Sequence, residues 1–291
     1  MAIPDRGSNQ KVYIDRMLSG ADDKARLLEY LKSGDSVLDV GTGKLTIPTL
    51  IWHKKLKCEV TALEASGSIY KECTEFLEEN PEIQCELIHS DYTRYMNETN
   101  KKFDAIVFCS VLHELYSYVP YMGGKFRKGR PCADLVQAAD RLKPGGRLII
   151  RDAIKPACQD SVYVSFRDRE MLALAKRFVK EFPAPEFFAT QVDDWMFEMS
   201  YANAMEMLYT ITWGEESFPF EINEQLGFFD YWDWSQMAAT LSQRGLGLVH
   251  FEEYLQQGYV KHLAGKVAIT DKNLQDLPLP ASNSIIVFMK R

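Results

Sequence analysis

Between Ser36 and Leu45 the chain reads Ser-Val-Leu-Asp-Val-Gly-Thr-Gly-Lys-Leu, and no other stretch constrains the fold as tightly. Ser36 to Val40 is a short apolar run with β-branched residues flanking Leu38-Asp39, the composition of a strand buried in a parallel sheet. It ends at Gly41 and Gly43, where the backbone can turn sharply and pass a ligand with no side chain in the way. A strand that closes in a glycine-spaced loop and leads into a helix places N–H groups beside a bound ligand. Asp39 narrows the reading further. A buried carboxylate is costly unless it meets a cation or caps the loop amides.

The segments that follow alternate between strand and helix. Thr46 to Lys55 reads as helix, and Glu59 to Leu63 as a second strand ending in Glu64. That acid lies about 20 residues past the glycines, where a doubly wound fold places the carboxylate that binds ribose hydroxyls. Ile69 to Glu79 is an amphipathic helix stopped near Pro81, and Ile83 to Ile88 a third strand ending in His89-Ser90-Asp91-Tyr92. Asp91 and Tyr92 could hold and stack on an adenine, or Asp91 could simply cap the next helix. Phe103 to Ser110 is the clearest central strand and runs into Val111-Leu112-His113-Glu114-Leu115-Tyr116-Ser117-Tyr118. Ala133 to Leu142 is a helix closed by Lys143-Pro144-Gly145-Gly146, and Arg147 to Asp152 a fifth strand with charges at its carboxyl end. Such alternation implies a parallel α/β sheet with its ligand at the carboxyl edge of the strands.

Past Ile154 the pattern changes. Residues 154–236 are rich in aromatics and hold few strand-like runs, with helices expected at Met171 to Phe182 and Asp194 to Tyr209. We read this region as a helical cap inserted after the fifth strand, most of its aromatics forming a small core and a minority lining a substrate pocket. Gln236 to Arg244 is helical again, and Leu246 to Glu252 and Ser284 to Lys290 are two closing strands. The expected organisation is an N-terminal helical lid over 1–33, a core built from 34–153 and 237–291, and the cap over 154–236.

A net charge of -7 argues against broad, non-specific binding to a phosphate backbone. No signal-peptide pattern and no apolar run long enough for a bilayer are present, so the expectation is a cytoplasmic protein without a membrane partner. The six cysteines form no Cys-x-x-Cys pair and read as buried thiols in a reducing compartment.

Taken together and in order, Val37 to Gly43, Glu64, Asp91-Tyr92, Phe103 to Ser110 with His113 after it, and Leu142 to Leu148 resemble the class I S-adenosylmethionine-dependent methyltransferases. The resemblance covers about residues 30–153 and the two closing strands. It implies a doubly wound, mostly parallel seven-stranded α/β sheet with an antiparallel C-terminal strand. It also implies S-adenosylmethionine as cofactor: Gly41, Thr42 and Gly43 beside its methionine part, Asp39 near its ammonium, Glu64 and Ala65 at the ribose, Asp91 and Tyr92 at the adenine, and Ser110 and Val111 near the sulfonium. Tyr13, Arg16 and Met17 look like the lid that precedes the fold in some members. The chain departs from the family's Gly-x-Gly-x-Gly loop at Lys44-Leu45, where a side chain could narrow the pocket. It also lacks an Asn/Asp-Pro-Pro-Tyr type motif and the paired cysteines of covalent RNA carbon methylation.

Methyl transfer is an in-line displacement, so such an enzyme mainly positions its acceptor and removes a proton where necessary. His113, with an ordinary pKa of about 6.5, is the first candidate base. Glu114 and Tyr116 are secondary. Residues three or four apart share a helix face, so only some of the 111–118 set can point into a cleft. Tyr118, Arg151, Asp152, Trp213 and Glu221 are candidate acceptor contacts, and no metal site is expected. The expected reaction is O- or N-methylation of a small molecule, with nucleic acid left open as a partner and the oligomeric state unread. Three rivals stand beside it: a nicotinamide oxidoreductase, which the loop spacing fits poorly, an S-adenosylmethionine binder without turnover, and an RNA methyltransferase using Lys125, Arg127, Lys128 and Arg130.

Overall fold

The computed structural model describes residues 21–291, and the expected lid residues Tyr13, Arg16 and Met17 lie outside that range. The described residues divide into two compact units. The first runs up to Asp152 and adds Ser235–Glu252 and Ser284–Arg291. The second comprises Ala153–Trp234 and Glu253–Asn283.

The first unit is built on a seven-stranded sheet of order β3-β2-β1-β4-β5-β12-β9. Its strands are β1 (Ser36–Val40), β2 (Glu59–Glu64), β3 (Cys85–His89), β4 (Phe103–Cys109), β5 (Leu142–Ala153), β9 (Leu246–Tyr254) and β12 (Asn283–Lys290). β1 pairs in parallel with β2 and β4, β2 with β3, and β4 with β5, and one antiparallel strand completes the expected doubly wound α/β arrangement. β1 is buried at all five positions, because a parallel strand between two neighbours with helices on its faces has no wet side. Register places Val37, Leu38, Asp39 and Val40 opposite Ala105, Ile106, Val107 and Phe108, so both strands end together at one edge. At the opposite, amino edge, Asp104 accepts from the Ser36 N–H at 2.9 Å and from Lys143 at 2.7 Å, tying β1, β4 and the start of β5. β5 begins at Leu142, ahead of the turn residues 143–146, with an irregular register against β4 between Phe103 and Ala105. Gly145 takes a φ of +76°, so the turn signal is real but sits within the strand's span.

The second unit has helices at the two expected places, Arg169–Glu181 and Tyr201–Ile211, together with a further helix, Gly214–Glu221, and an antiparallel sheet that the residue pattern does not predict. That five-stranded sheet has the order β11-β10-β6-β8-β7, from β6 (Ser161–Phe166), β7 (Ala189–Asp193), β8 (Met196–Ser200), β10 (Val267–Thr270) and β11 (Asp276–Leu277). The stretch expected to be helical from Asp194 is a turn at Asp194 and Trp195 and then strand β8 up to Ser200, whose hydroxyl caps the next helix by accepting from the Asn203 N–H at 3.2 Å. β6 shows why the sheet forms: Val162, Val164 and Phe166 alternate inward with half-buried Ser161, Tyr163 and Ser165. The inward residues join Phe178, Phe197, Met205 and Tyr209 in one apolar cluster. Fewer than half of the region's aromatics are buried, and Phe188, Trp195, Tyr231 and Trp232 are exposed, so the expectation that most of them form its core does not hold.

Candidate active site

The carboxyl ends of β1, β2, β4 and β5 bring together side chains scattered over more than a hundred residues of sequence. The loop after β1 holds Gly41 at φ +65° and Gly43 at φ +55°, both in the left-handed region. A side chain on Gly41 would meet Val111 Cγ2 at 2.6 Å, so only a bare backbone fits there, whereas open space faces Gly43. The loop is pinned by backbone and side chain alike. Thr42 N–H donates to the Leu63 carbonyl at 2.8 Å, and Gly43 N–H to Glu64 Oε2 at 3.1 Å. Glu64 Oε1 accepts from the Ser66 N–H at 2.8 Å. Burial raises the Glu64 pKa, opposed by the amides of Ser66, Gly43 and half-buried Ala65.

Leu45 stands where the family loop has its third glycine, and its backbone is in the left-handed region that favours glycine, at φ 56° and ψ 35°. Left-handed backbone costs a side-chain-bearing residue about 1–2 kcal/mol. Burying a leucine contributes about 1.5–3 kcal/mol, enough to offset it. Leu45 is 0 % exposed and packs on Ala62 and Cys73 inside the unit, so its side chain does not narrow the loop's open side. Lys44 pairs with Glu72.

Asp39, in β1 just before the loop, is a buried carboxylate. It is 1 % exposed, and its Oδ2 and the Thr42 hydroxyl have no hydrogen-bond partner among the described residues. Burial pushes its carboxyl up to about 6, while the nearby Thr42 hydroxyl and the Lys24 ammonium oppose the rise. Lys24, which the sequence reading passed over, is only 3 % exposed. Burial lowers its pKa, Arg151 adds to that, and Cys109, Asp39 and Asp23 oppose it. Nothing in the spacing of Asp23-Lys24 marks it, because the charge matters only through neighbours that are distant in sequence. Arg151 anchors that segment: its Nε donates to Asp23 Oδ2 at 3.0 Å and its Nη1 to the Ser110 hydroxyl at 2.5 Å. Ser110 itself sits at φ 57°, its N–H donating to the Arg151 carbonyl at 2.7 Å.

His113 lies in the first turn of the helix Leu112–Tyr118, which follows β4 after Ser110 and Val111, and Asp152 near the end of β5 organises it. Asp152 Oδ1 lies 2.6 Å from His113 Nδ1, and Oδ2 accepts the N–H groups of Leu112 at 2.7 Å and His113 at 3.3 Å. One carboxylate thereby caps the helix and orients the imidazole. Glu114 is half-buried, while Tyr116 and Tyr118 are buried. Tyr116 packs edge-on to Phe126, and Lys125 lies over the Tyr118 ring.

Two of the expected adenine contacts are engaged otherwise. Asp91 is exposed and caps the helix Tyr92–Glu98 by accepting from the Arg94 N–H at 2.9 Å. Tyr92 is 3 % exposed, packs edge-on to Phe108 and donates to the Asp134 carbonyl at 2.9 Å. In the second unit Trp213 is half-buried at the start of Gly214–Glu221, and Glu221 is buried at that helix's end.

The family model described as a methyltransferase domain matches residues 14–198. The chain belongs to that family. It is a class I S-adenosylmethionine-dependent methyltransferase, and S-adenosylmethionine is its cofactor. A putative methyltransferase from Bacillus halodurans has the same fold, with a TM-score of 0.52 at 14% identity over 92% of this chain and 99% of that one. The plantazolicin methyltransferase BpumL, solved with SAH, aligns at a TM-score of 0.49 and 11% identity over 98% of this chain and 86% of that one. TehB from Haemophilus influenzae aligns at 0.48 and 12% identity over 94% of this chain, which spans 62% of the TehB chain. No curated protein sequence matches the chain.

The methyltransferase's residues fit that cofactor. The unsatisfied Asp39 oxygen suits an ammonium, the open space facing Gly43 leaves room for a ligand beside bare backbone, and Glu64 stands at the end of β2, where a doubly wound fold sets a ribose-binding acid.

Proposed function

We propose that the enzyme methylates an oxygen or nitrogen of a small-molecule acceptor, with His113 taking the acceptor's proton. The observation behind this reading is the 2.6 Å contact between His113 Nδ1 and the 1 % exposed Asp152. When bound, S-adenosylmethionine supplies a methyl group made electrophilic by its sulfonium. The chain's own part is to orient the acceptor, accept its proton on the imidazole and stabilise the imidazolium through Asp152. Glu114 and Tyr116 remain secondary bases. Tyr118, Arg151 and Asp152 are the proposed acceptor contacts. Residues 1–33 serve in this proposal as a lid and 154–236 as the acceptor-binding cap. A small molecule is favoured over RNA because Arg130 of the basic loop is committed to Asp134 and to Thr93 at 2.6 Å. No helix among the described residues is long and apolar enough to cross a membrane.

The test is release of S-adenosylhomocysteine across a metabolite library. His113→Ala should keep S-adenosylhomocysteine affinity within about twofold and lose about a hundredfold or more in kcat, the usual worth of a positioned base. An unchanged rate removes His113 as base. Binding with no release on any acceptor points instead to a cofactor binder without turnover.

A further inference from the structure

We propose that Cys73 is a positioning residue for the cofactor loop, its thiol holding the Gly43 peptide in the pose the cofactor meets; this rests on the reading that the loop binds S-adenosylmethionine. Gly43 is gripped on both sides. Its N–H donates to Glu64 Oε2 at 3.1 Å, and its carbonyl accepts from Cys73 Sγ at 2.9 Å. The grip continues along the chain, because Lys44 pairs with Glu72 and Leu45 packs on the Cys73 side chain. Three consecutive loop residues are thus tied to two consecutive residues of the helix Gly67–Glu79.

The tie falls where the sequence departs from the Gly-x-Gly-x-Gly pattern. A third glycine would enter the left-handed region without strain, whereas Leu45 must be kept there by its surroundings. Those surroundings are Ala62 of β2 and Cys73 of the helix, with Ile69, Phe76 and Leu77 packed behind them. Cys73 therefore acts twice, as the apolar surface that seats Leu45 and as the donor that fixes the carbonyl two residues earlier. Its thiol is suited to donate: burial first, and the Glu64 carboxylate second, push its pKa up to about 12, so the proton stays on sulfur at neutral pH. A hydroxyl could replace that donor, whereas an isopropyl group would fill the space without it.

The experiment compares Cys73→Ser and Cys73→Val in the full chain at a temperature where both remain folded by circular dichroism. Calorimetric titration with S-adenosylhomocysteine should show about a threefold to tenfold weaker affinity for Cys73→Val, the equivalent of one lost hydrogen bond, and a change within twofold for Cys73→Ser. KM for S-adenosylmethionine should rise in Cys73→Val with kcat unchanged, since the loop binds but does not react. Amide hydrogen exchange at Gly43 to Leu45 in ligand-free protein should quicken in Cys73→Val and not in Cys73→Ser. Wild-type affinity in Cys73→Val, an equal loss in both variants, or unaltered exchange overturns the assignment. Wild-type protein that binds neither S-adenosylmethionine nor its product overturns the cofactor reading instead, and the exchange measurement still decides the brace.

Discussion

Asp39→Asn should make this enzyme more stable while making it a poorer binder. The carboxyl is held at about 6 against an ordinary 3.8, with burial as the main cause. At about 1.36 kcal/mol per pH unit, that displacement corresponds to a cost of about 3 kcal/mol for keeping the ionised group inside the fold. The sign follows from proton linkage. The folded state holds this proton more tightly than the unfolded chain, so the cost is absent below pH 3.8, grows between 3.8 and about 6, and is complete above that. An asparagine keeps the shape and removes the charge. Denaturant unfolding followed by tryptophan fluorescence should therefore show Asp39→Asn gaining up to about 3 kcal/mol over wild type at pH 7.5, with the gap closing toward pH 4. On the proposal that Asp39 is the counter-charge of the ammonium in the cofactor's methionine part, calorimetry should show the opposite order for S-adenosylmethionine. Reduced stability at pH 7.5, or a gap that does not depend on pH, would show that Asp39 is satisfied in the cofactor-free protein and refute the argument.

Two further outcomes follow from the same edge of the sheet. Gly41→Ala combines a left-handed φ of +65° with a 2.6 Å approach to Val111 Cγ2, so about 2–4 kcal/mol of destabilisation is expected. Val111→Ala in the same chain should recover the packing share but not the backbone share, and a strictly additive double mutant in thermal melts would contradict that division. Lys24→Met removes a cation that opposes the rise of the Asp39 pKa, so the pH midpoint of S-adenosylhomocysteine binding should move upward. An unmoved midpoint in calorimetric titrations at several pH values would show that Lys24 does not act on Asp39.

The alternation of buried strands with helices, the glycines after β1 and the acid after β2 are local signals, and they were enough to determine the doubly wound sheet and the edge at which its glycine loop lies. A parallel strand buried on both faces needs an apolar run, and a backbone at φ +65° needs glycine, so those residues announce themselves. The β6 alternation from Ser161 to Phe166 is also visible, but its neighbouring aromatics suit a helix core equally well. Only pairing with β8 and β10 decides it. The same holds within the site. Asp152 capping the helix of His113, Arg151 reaching Asp23, and Tyr92 turned inward to Asp134 join residues 39 to 128 positions apart. What Leu45 does was undecidable in one dimension. As a residue type it signals a narrowed loop, whereas in the fold its burial stabilises the conformation that a glycine would adopt. Sequence determines which conformations the backbone can reach cheaply, and tertiary packing decides which costly one is kept, because only there do burial and partners offset strain and desolvation.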